Sequence, residues 1–291
     1  MTSTTERTSA PPSKKAKPTE MDFKLVVDQA AALRSFVDIV SSVLRQVHIN
    51  VVRHTGTGGG VCLFVDTVEE NRVCMVQGRL VCSGELGENA DHGFCVDMKT
   101  FQTALKSIPK HHSVIIQRVK GDSVVQMRSV DDMTKKVGLQ FTVSTLDVEA
   151  ETLDMGDIEF QYEIEADLGT LKSMFSMAKD IGCERITLSM LHEADHDDKI
   201  HLQISGKGTS AEFNRVVPSS SDSDTLSDVP VESMKLGTEA HFTLDYLSKV
   251  ISKMEQQYVK VSMGTDLPLL LRCNLGVEDS FTHFVVAPKI E

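Results

Sequence analysis

The chain has 291 residues, 41% of them apolar and 5% aromatic, with no Trp and a net charge of −12. That is enough apolar material for one large domain or two of ordinary size, each with an aliphatic core. The acidic balance excludes general adhesion to nucleic acid but leaves room for a local basic stripe, and no apolar run approaches the ~20 residues of a helical membrane span.

Residues 1–20 hold almost nothing to bury and are expected to be a disordered extension. Within them, Ser13-Lys14-Lys15-Ala16-Lys17 fits either a solubilising tail or a nuclear-import signal. From Asp22 a regular pattern begins. Phe23–Val27 alternates as a strand, and Leu33, Phe36, Val37, Val40 and Leu44 then fall at helical spacing in a helix predicted to reach Arg45. Three strands follow: VHINVVRH, VCLFVDT and RVCMVQGRL. A second helix carries Met98, Phe101, Leu105 and Ile108 on one face, and VIIQRV, VVQMRSV and VGLQFTVSTL return to strand.

The same order recurs further on. EFQYEIEA is a strand, and the next helix buries Leu168, Leu171, Phe175 and Ala178. RITLSM, KIHLQISG and AEFNRVV are strands, and a fourth helix turns Leu244, Leu247, Ile251 and Met254 inward. YVKVSMG, LPLLLRCNL and THFVVAP complete the pattern. Each half thus runs strand, helix, strands, helix, strands, an internal duplication. The predicted organisation is a first domain over 21–145, an acidic connecting segment over 146–157, and a second domain over 158–291.

Opposite the apolar stripes the helices carry cations: Arg34 and Arg45, Lys99 and Lys106, Lys172 and Lys179, Lys249 and Lys253. The acids noted within them are Asp38, Asp97, Asp180 and Asp245. One amphipathic helix with exposed lysines means little. Four such helices in an acidic chain are the charge segregation that a nucleic-acid channel needs.

Other motifs point nowhere. His192–Asp198 is rich in metal-ligand types but lies between two strands, without a helical frame, and reads as a solvated hairpin loop. Gly56–Gly60 precedes a strand rather than a helix and lacks a following Gly-Lys-Ser/Thr, so it reads as a hairpin and not a phosphate loop. Ser219–Asp224 reads as an unstructured loop that kinases could reach. The six cysteines, Cys62, Cys74, Cys82, Cys95, Cys183 and Cys273, form no CxxC pair and read as small buried apolar residues in a reducing compartment. The expectation is a protein without catalytic residues, metal or cofactor; an enzyme built on the acidic loops is the alternative of another class.

In chain order, the pair Val76-Gln77, the segment Leu146-Asp147-Val148-Glu149, the run Ser262–Leu271 (SMGTDLPLLL) and the ending Ala287–Glu291 (APKIE) resemble the eukaryotic-type DNA sliding clamp family, proliferating cell nuclear antigen. The resemblance covers residues 22–291. It implies an α+β fold of two duplicated domains, each with two helices on curved antiparallel sheets, closing as a homotrimeric ring around double-stranded DNA. By position, Arg34, Lys99, Lys106, Lys172, Lys179, Lys249 and Lys253 would face phosphate. The edge strand Val137–Thr145 of one chain would add to Thr209–Val217 of the next. Partners, including DNA polymerase and a clamp loader, would insert a peptide of glutamine, an aliphatic and two aromatics. Its pocket would be lined by Val68, Arg72, Val73, Met75, Leu153, Met155, Pro268, Val285, Val286, Ala287, Pro288 and Ile290, with backbone groups near Ala287 and Ile290 bonding the peptide. Val285 and Arg72 replace the family's usual aromatic and histidine, and Asp154 and Gly156 its glycine and proline. His192 falls near the family's modified lysine, which puts that regulation in doubt. A nuclear location, or a viral replication compartment, is implied. The alternative within the fold is one subunit of a heterotrimeric checkpoint clamp.

Overall fold

The computed structural model describes residues 20–56, 59–88, 92–148, 158–193, 196–220 and 234–289. The predicted disordered extension and most of the connecting segment lie outside them, as do Leu153, Met155 and Ile290. The first half runs β1 (Met21–Val27), α1 (Ala30–Val40), β2 (Gln46–Arg53), β3 (Val61–Val68), β4 (Cys74–Leu86), β5 (Phe94–Asp97), α2 (Met98–Lys106), β6 (Ser113–Val119), β7 (Val124–Val130) and β8 (Val137–Ser144). The second half repeats the order: β9 (Tyr162–Asp167), α3 (Leu168–Asp180), β10 (Arg185–Glu193), β11 (His196–Lys207), β12 (Glu212–Val217), β13 (Met234–Thr243), α4 (Leu244–Lys253), β14 (Tyr258–Met263), β15 (Leu269–Asn274) and β16 (Phe281–Val286).

The duplication extends to single hydrogen bonds. The first amide of α1, Ala30 N–H, donates to the carbonyl just ahead of β6, His112 O, at 2.8 Å; Leu168 N–H of α3 donates to Gln257 O, just ahead of β14, at 2.9 Å. Met98 N–H of α2 reaches Arg45 O ahead of β2 at 2.9 Å, and Leu244 N–H of α4 reaches Glu184 O ahead of β10 at 3.1 Å. Amides orphaned at a helix start must find such partners when buried. Asp97 and Asp167 meet the same need, their side chains accepting from Thr100 N–H and Thr170 N–H at 2.7 and 2.6 Å as N-caps of α2 and α3.

Among the described residues all strand pairings are antiparallel, in a 12-stranded and a 4-stranded sheet. The two halves meet where β16 pairs with β4, Phe281 opposite Arg79 through Val286 opposite Cys74. The helices touch in the order α2, α1, α4, α3, one continuous layer over the sheets. Their apolar stripes are buried as the spacing predicts, with Leu33, Phe36, Phe101, Leu247 and Ile251 at 0–1% exposure. Helix α1 sits on the join itself. Gly78, opposite Thr282 on β16, leaves no room for a side chain, because a Cβ there would lie 2.7 Å from the Phe36 ring.

Three expectations need correction. Helix α1 ends at Val40 rather than Arg45, and Arg45 instead leads into β2. Strands β5 and β13 were not legible: β5 has only four residues before its helix, and β13 carries Gly237 and Glu239 in a mixed pattern. His192 and Glu193 sit in the β10–β11 ladder, opposite Ile200 and His196. The six cysteines are free and buried, as expected. Burial pushes their thiols upward, Cys74 and Cys82 to about 12 and Cys273 to about 11. A thiol so raised has almost no reactive thiolate at neutral pH. The native protein should therefore leave all six thiols unmodified by a disulfide reagent over minutes, and denaturant should release six; rapid native labelling would contradict this packing.

Candidate nucleic-acid interface and partner pocket

The helix layer brings the predicted cations together on one side of the molecule. Lys99, Lys106, Lys179, Lys249 and Lys253 are exposed there. Lys249 also pairs with Asp245 at 2.6 Å, one turn back on the same helix, and lies 5.7 Å from the Tyr246 ring. Arg34 and Lys172 have a further duty that the sequence did not reveal. Arg34 Nε and Nη2 donate to Leu105 O and Lys106 O at 2.9 and 3.0 Å, and Lys172 Nζ donates to Met254 O at 2.6 Å. Each is the fifth residue of its helix, and each neutralises the carbonyl end of the helix beside it. Two of the nearby acids are engaged as well. Asp97 caps α2, its carboxyl held below the usual range by hydrogen bonds from Thr100, and Asp38 accepts from Gln102 Nε2 at 2.5 Å.

The pocket residues assemble on the opposite side of the sheet. The registers set Val68 opposite Met75, Met75 opposite Val285, and Val285 opposite Leu270, an apolar row across β3, β4, β16 and β15. Directly paired residues share a face, so this row faces away from the neighbouring row of Val76, Phe284 and Leu271, which is core. Leu270 belongs to the row and was missed, because strand pairing between distant segments is not visible in sequence. Val286, predicted to line the pocket, lies on the core face at 0% exposure and is removed from it.

Glu69 shapes the rim. It is 6% exposed, and its carboxylate accepts from Asn71 N–H and Val73 N–H, both at 2.8 Å. This folds residues 69–73 into a tight turn with Arg72 at φ +58°. Asn71 Nδ2 donates to Tyr246 Oη at 3.0 Å, and Tyr246 Oη donates to Glu69 at 3.3 Å, tying the rim to α4. The tail continues the sheet: Ala287 N–H donates to Val73 O at 2.8 Å and Lys289 N–H to His241 O at 2.7 Å. Of the backbone groups near Ala287 expected to bond a peptide, the Ala287 N–H is thus already used within the chain. Pro268 and Pro288 are half-buried and Ala287 is exposed.

On the same outer face, His283 stacks on Phe281 at 4.1 Å, and Arg79 lies 4.8 Å from that ring. Burial, then the charges of Arg272 and Arg79, hold the His283 imidazole down at about 4, against 6.5 when free. The native state keeps it neutral while the unfolded chain takes up a proton, so this contribution is complete above about pH 6.5 and lost as pH falls towards 4. A His283→Gln variant should lose less stability than the parent between pH 6.5 and 4 in urea titrations. Parallel pH profiles would refute the assignment.

No protein-family model matches the chain. It is similar to the DNA polymerase sliding clamp of Methanobrevibacter smithii, 21% identical over 272 residues that span 92% of this chain and 98% of that protein. The DNA polymerase sliding clamp of Methanothermobacter thermautotrophicus is 22% identical over 278 residues, with the same coverage. Among solved structures, the proliferating cellular nuclear antigen of Entamoeba histolytica superposes with a TM-score of 0.71 at 16% identity, over 93% of this chain and all of that one. That of Thermococcus kodakaraensis gives 0.71 at 17% identity, over 92% of this chain and all of its own. The fold is that of a DNA sliding clamp. It is the fold of the two solved proliferating cell nuclear antigens, and the likeness runs along nearly the whole chain.

Proposed function

We propose that the chain is a sliding clamp for a DNA polymerase: three copies close into a ring, duplex DNA runs along the helix layer, and partners dock in the outer pocket. The observation that carries this reading is the β16–β4 join. By duplication β8 corresponds to β16 and β12 to β4; the starts of β4 and β12 are spaced as those of α1 and α3 are, Cys74 and Glu212 against Ala30 and Leu168. Yet β8 and β12 each end their sheet with an open edge, and β8 exposes Val137 at 59% and Leu139 at 44%. An exposed apolar edge strand invites another chain. The join made once within the chain can then be made again between chains, β8 of one copy on β12 of the next. This head-to-tail contact closes when its rotation fits. Transferring the β16–β4 register places Phe141 opposite Phe213 of the next copy.

The ring makes and breaks no bond. Lysines facing phosphate hold the duplex weakly, without reading sequence and in a salt-sensitive way, while topology retains the DNA. The apolar row from Val68 to Leu270 suits aromatic anchors of a short peptide. The sliding clamps among the relatives favour this role over a checkpoint subunit, and a nuclear or viral replication compartment goes with it.

Two experiments test it. A Phe141→Cys, Phe213→Cys variant, assembled in the presence of circular plasmid and oxidised, should stay on the plasmid in high salt and leave when a nuclease linearises it. Equal retention on linear and circular DNA, or none on either, would contradict a closed ring. Val285→Glu should weaken a fluorescent Gln-aliphatic-aromatic-aromatic peptide by tenfold or more, since a charge would enter the apolar row; unchanged affinity would refute the pocket.

A further inference from the structure

The two halves differ at one matched place in the helix layer. Between α1 and α2, Gln102 fills the cleft, its amide donating to Asp38 at 2.5 Å and to Ser41 Oγ at 3.3 Å. Gln102 and Ser248 are each the fifth residue of α2 and α4, and Asp38 and Ser176 each the ninth of α1 and α3. Ser41 corresponds in the same way to Lys179. In the second half the plug is therefore cut back to a hydroxyl, the carboxylate is replaced by a hydroxyl, and a cation is added.

The consequence is a cavity of about 260 Å³ between α3 and α4. Phe175 and Ile251, 5% and 1% exposed, give it an apolar lining, while Lys172, Lys179, Ser176 and Ser248 bring charge and hydroxyls. Ser248 is 8% exposed, and its Oγ is buried without a hydrogen-bond partner. A buried hydroxyl left unpaired costs stability and calls for a ligand atom. The nearby end of α4 would oppose an anion, but Lys172 covers its terminal carbonyl at Met254.

We propose that the α3–α4 cleft is a phosphate seat that takes one backbone phosphate of the duplex, with Ser248 and Ser176 donating hydrogen bonds to its oxygens and Lys179 supplying charge. The α1–α2 cleft, closed by Gln102 and bearing Asp38, has no such seat. Contact with the duplex then alternates around the ring between seated and purely electrostatic domains. This rests on the reading of the helix layer as the DNA-facing surface, and it adds a position and a stoichiometry of one seat per chain.

The test is fluorescence anisotropy of a short labelled duplex with the full-length protein at fixed low ionic strength. Ser248→Gln refills the cleft without changing charge and should weaken binding about tenfold, what one hydrogen bond to a charged group contributes. The slope of affinity against salt should stay unchanged, whereas Lys179→Ala should lower that slope by about one per site. Ser248→Ala removes the donor without added bulk, should weaken binding in the same direction, and decides the matter if the glutamine variant fails to melt cooperatively. Lys99→Ala, on the other half, is the control. If both Ser248 variants bind as the parent does while Lys99→Ala binds less well, the seat is wrong and the DNA-facing layer stands. If neither the parent nor any variant binds duplex, the reading of the layer fails and the seat with it.

Discussion

The structure depends on the antiparallel pairing of β16 with β4. It carries the main chain of one half into the sheet of the other, so the chain presents one continuous wall rather than two tethered bodies. Everything placed near it follows from that continuity. The helix layer is unbroken because α1 packs on the join, with Phe36 over Gly78. The outer apolar row crosses from Val68 and Met75 of the first half to Val285 and Leu270 of the second by the same register. Both candidate surfaces are thus consequences of one strand pairing, and so is the expectation that the pairing repeats between chains.

The helix layer shows how an acidic protein, net −12, can present a positive face. Several acids near the helices are bound to tasks within the fold, although Asp180 stands exposed: Asp97 and Asp167 cap helix starts, Asp38 holds Gln102, and Asp245 pairs with Lys249. Among the cations, Arg34 and Lys172 neutralise helix ends, while Lys99, Lys106, Lys179 and Lys253 stand exposed. The distinction matters physically. A cation tied to carbonyls still shapes the local field, but it cannot follow a phosphate as an untethered lysine can.

Much of this was legible in the sequence, for reasons that can be named. Helices show through a 3.6-residue period, so Leu33, Phe36, Phe101 and Leu247 were placed correctly in the core. The repeated element order exposed the duplication, although β5 was too short and β13 too mixed to read. The tail and the strand ends of the pocket were reached through residues that resemble a family, not through periodicity. What stayed hidden was whatever depends on contacts between distant segments. Leu270 joins the apolar row only through register, Val286 leaves it only through burial, and Tyr246, one of three tyrosines, meets Glu69 and Asn71 across the join. The unplugged cleft at Ser248 emerges only when two helices that look alike in sequence are compared in space.

The central claim is that the open edges β8 and β12 close head to tail as β16 and β4 do within the chain. Sedimentation equilibrium at low micromolar concentration tests it most directly. A species near three times the 32.0 kDa of the chain is expected, converted to smaller species by Gln140→Pro in β8, whose N–H faces the open edge while that of Leu139 donates inward to Ser129 Oγ. A stable single-chain mass for the unaltered protein, or a trimer indifferent to that substitution, would contradict it.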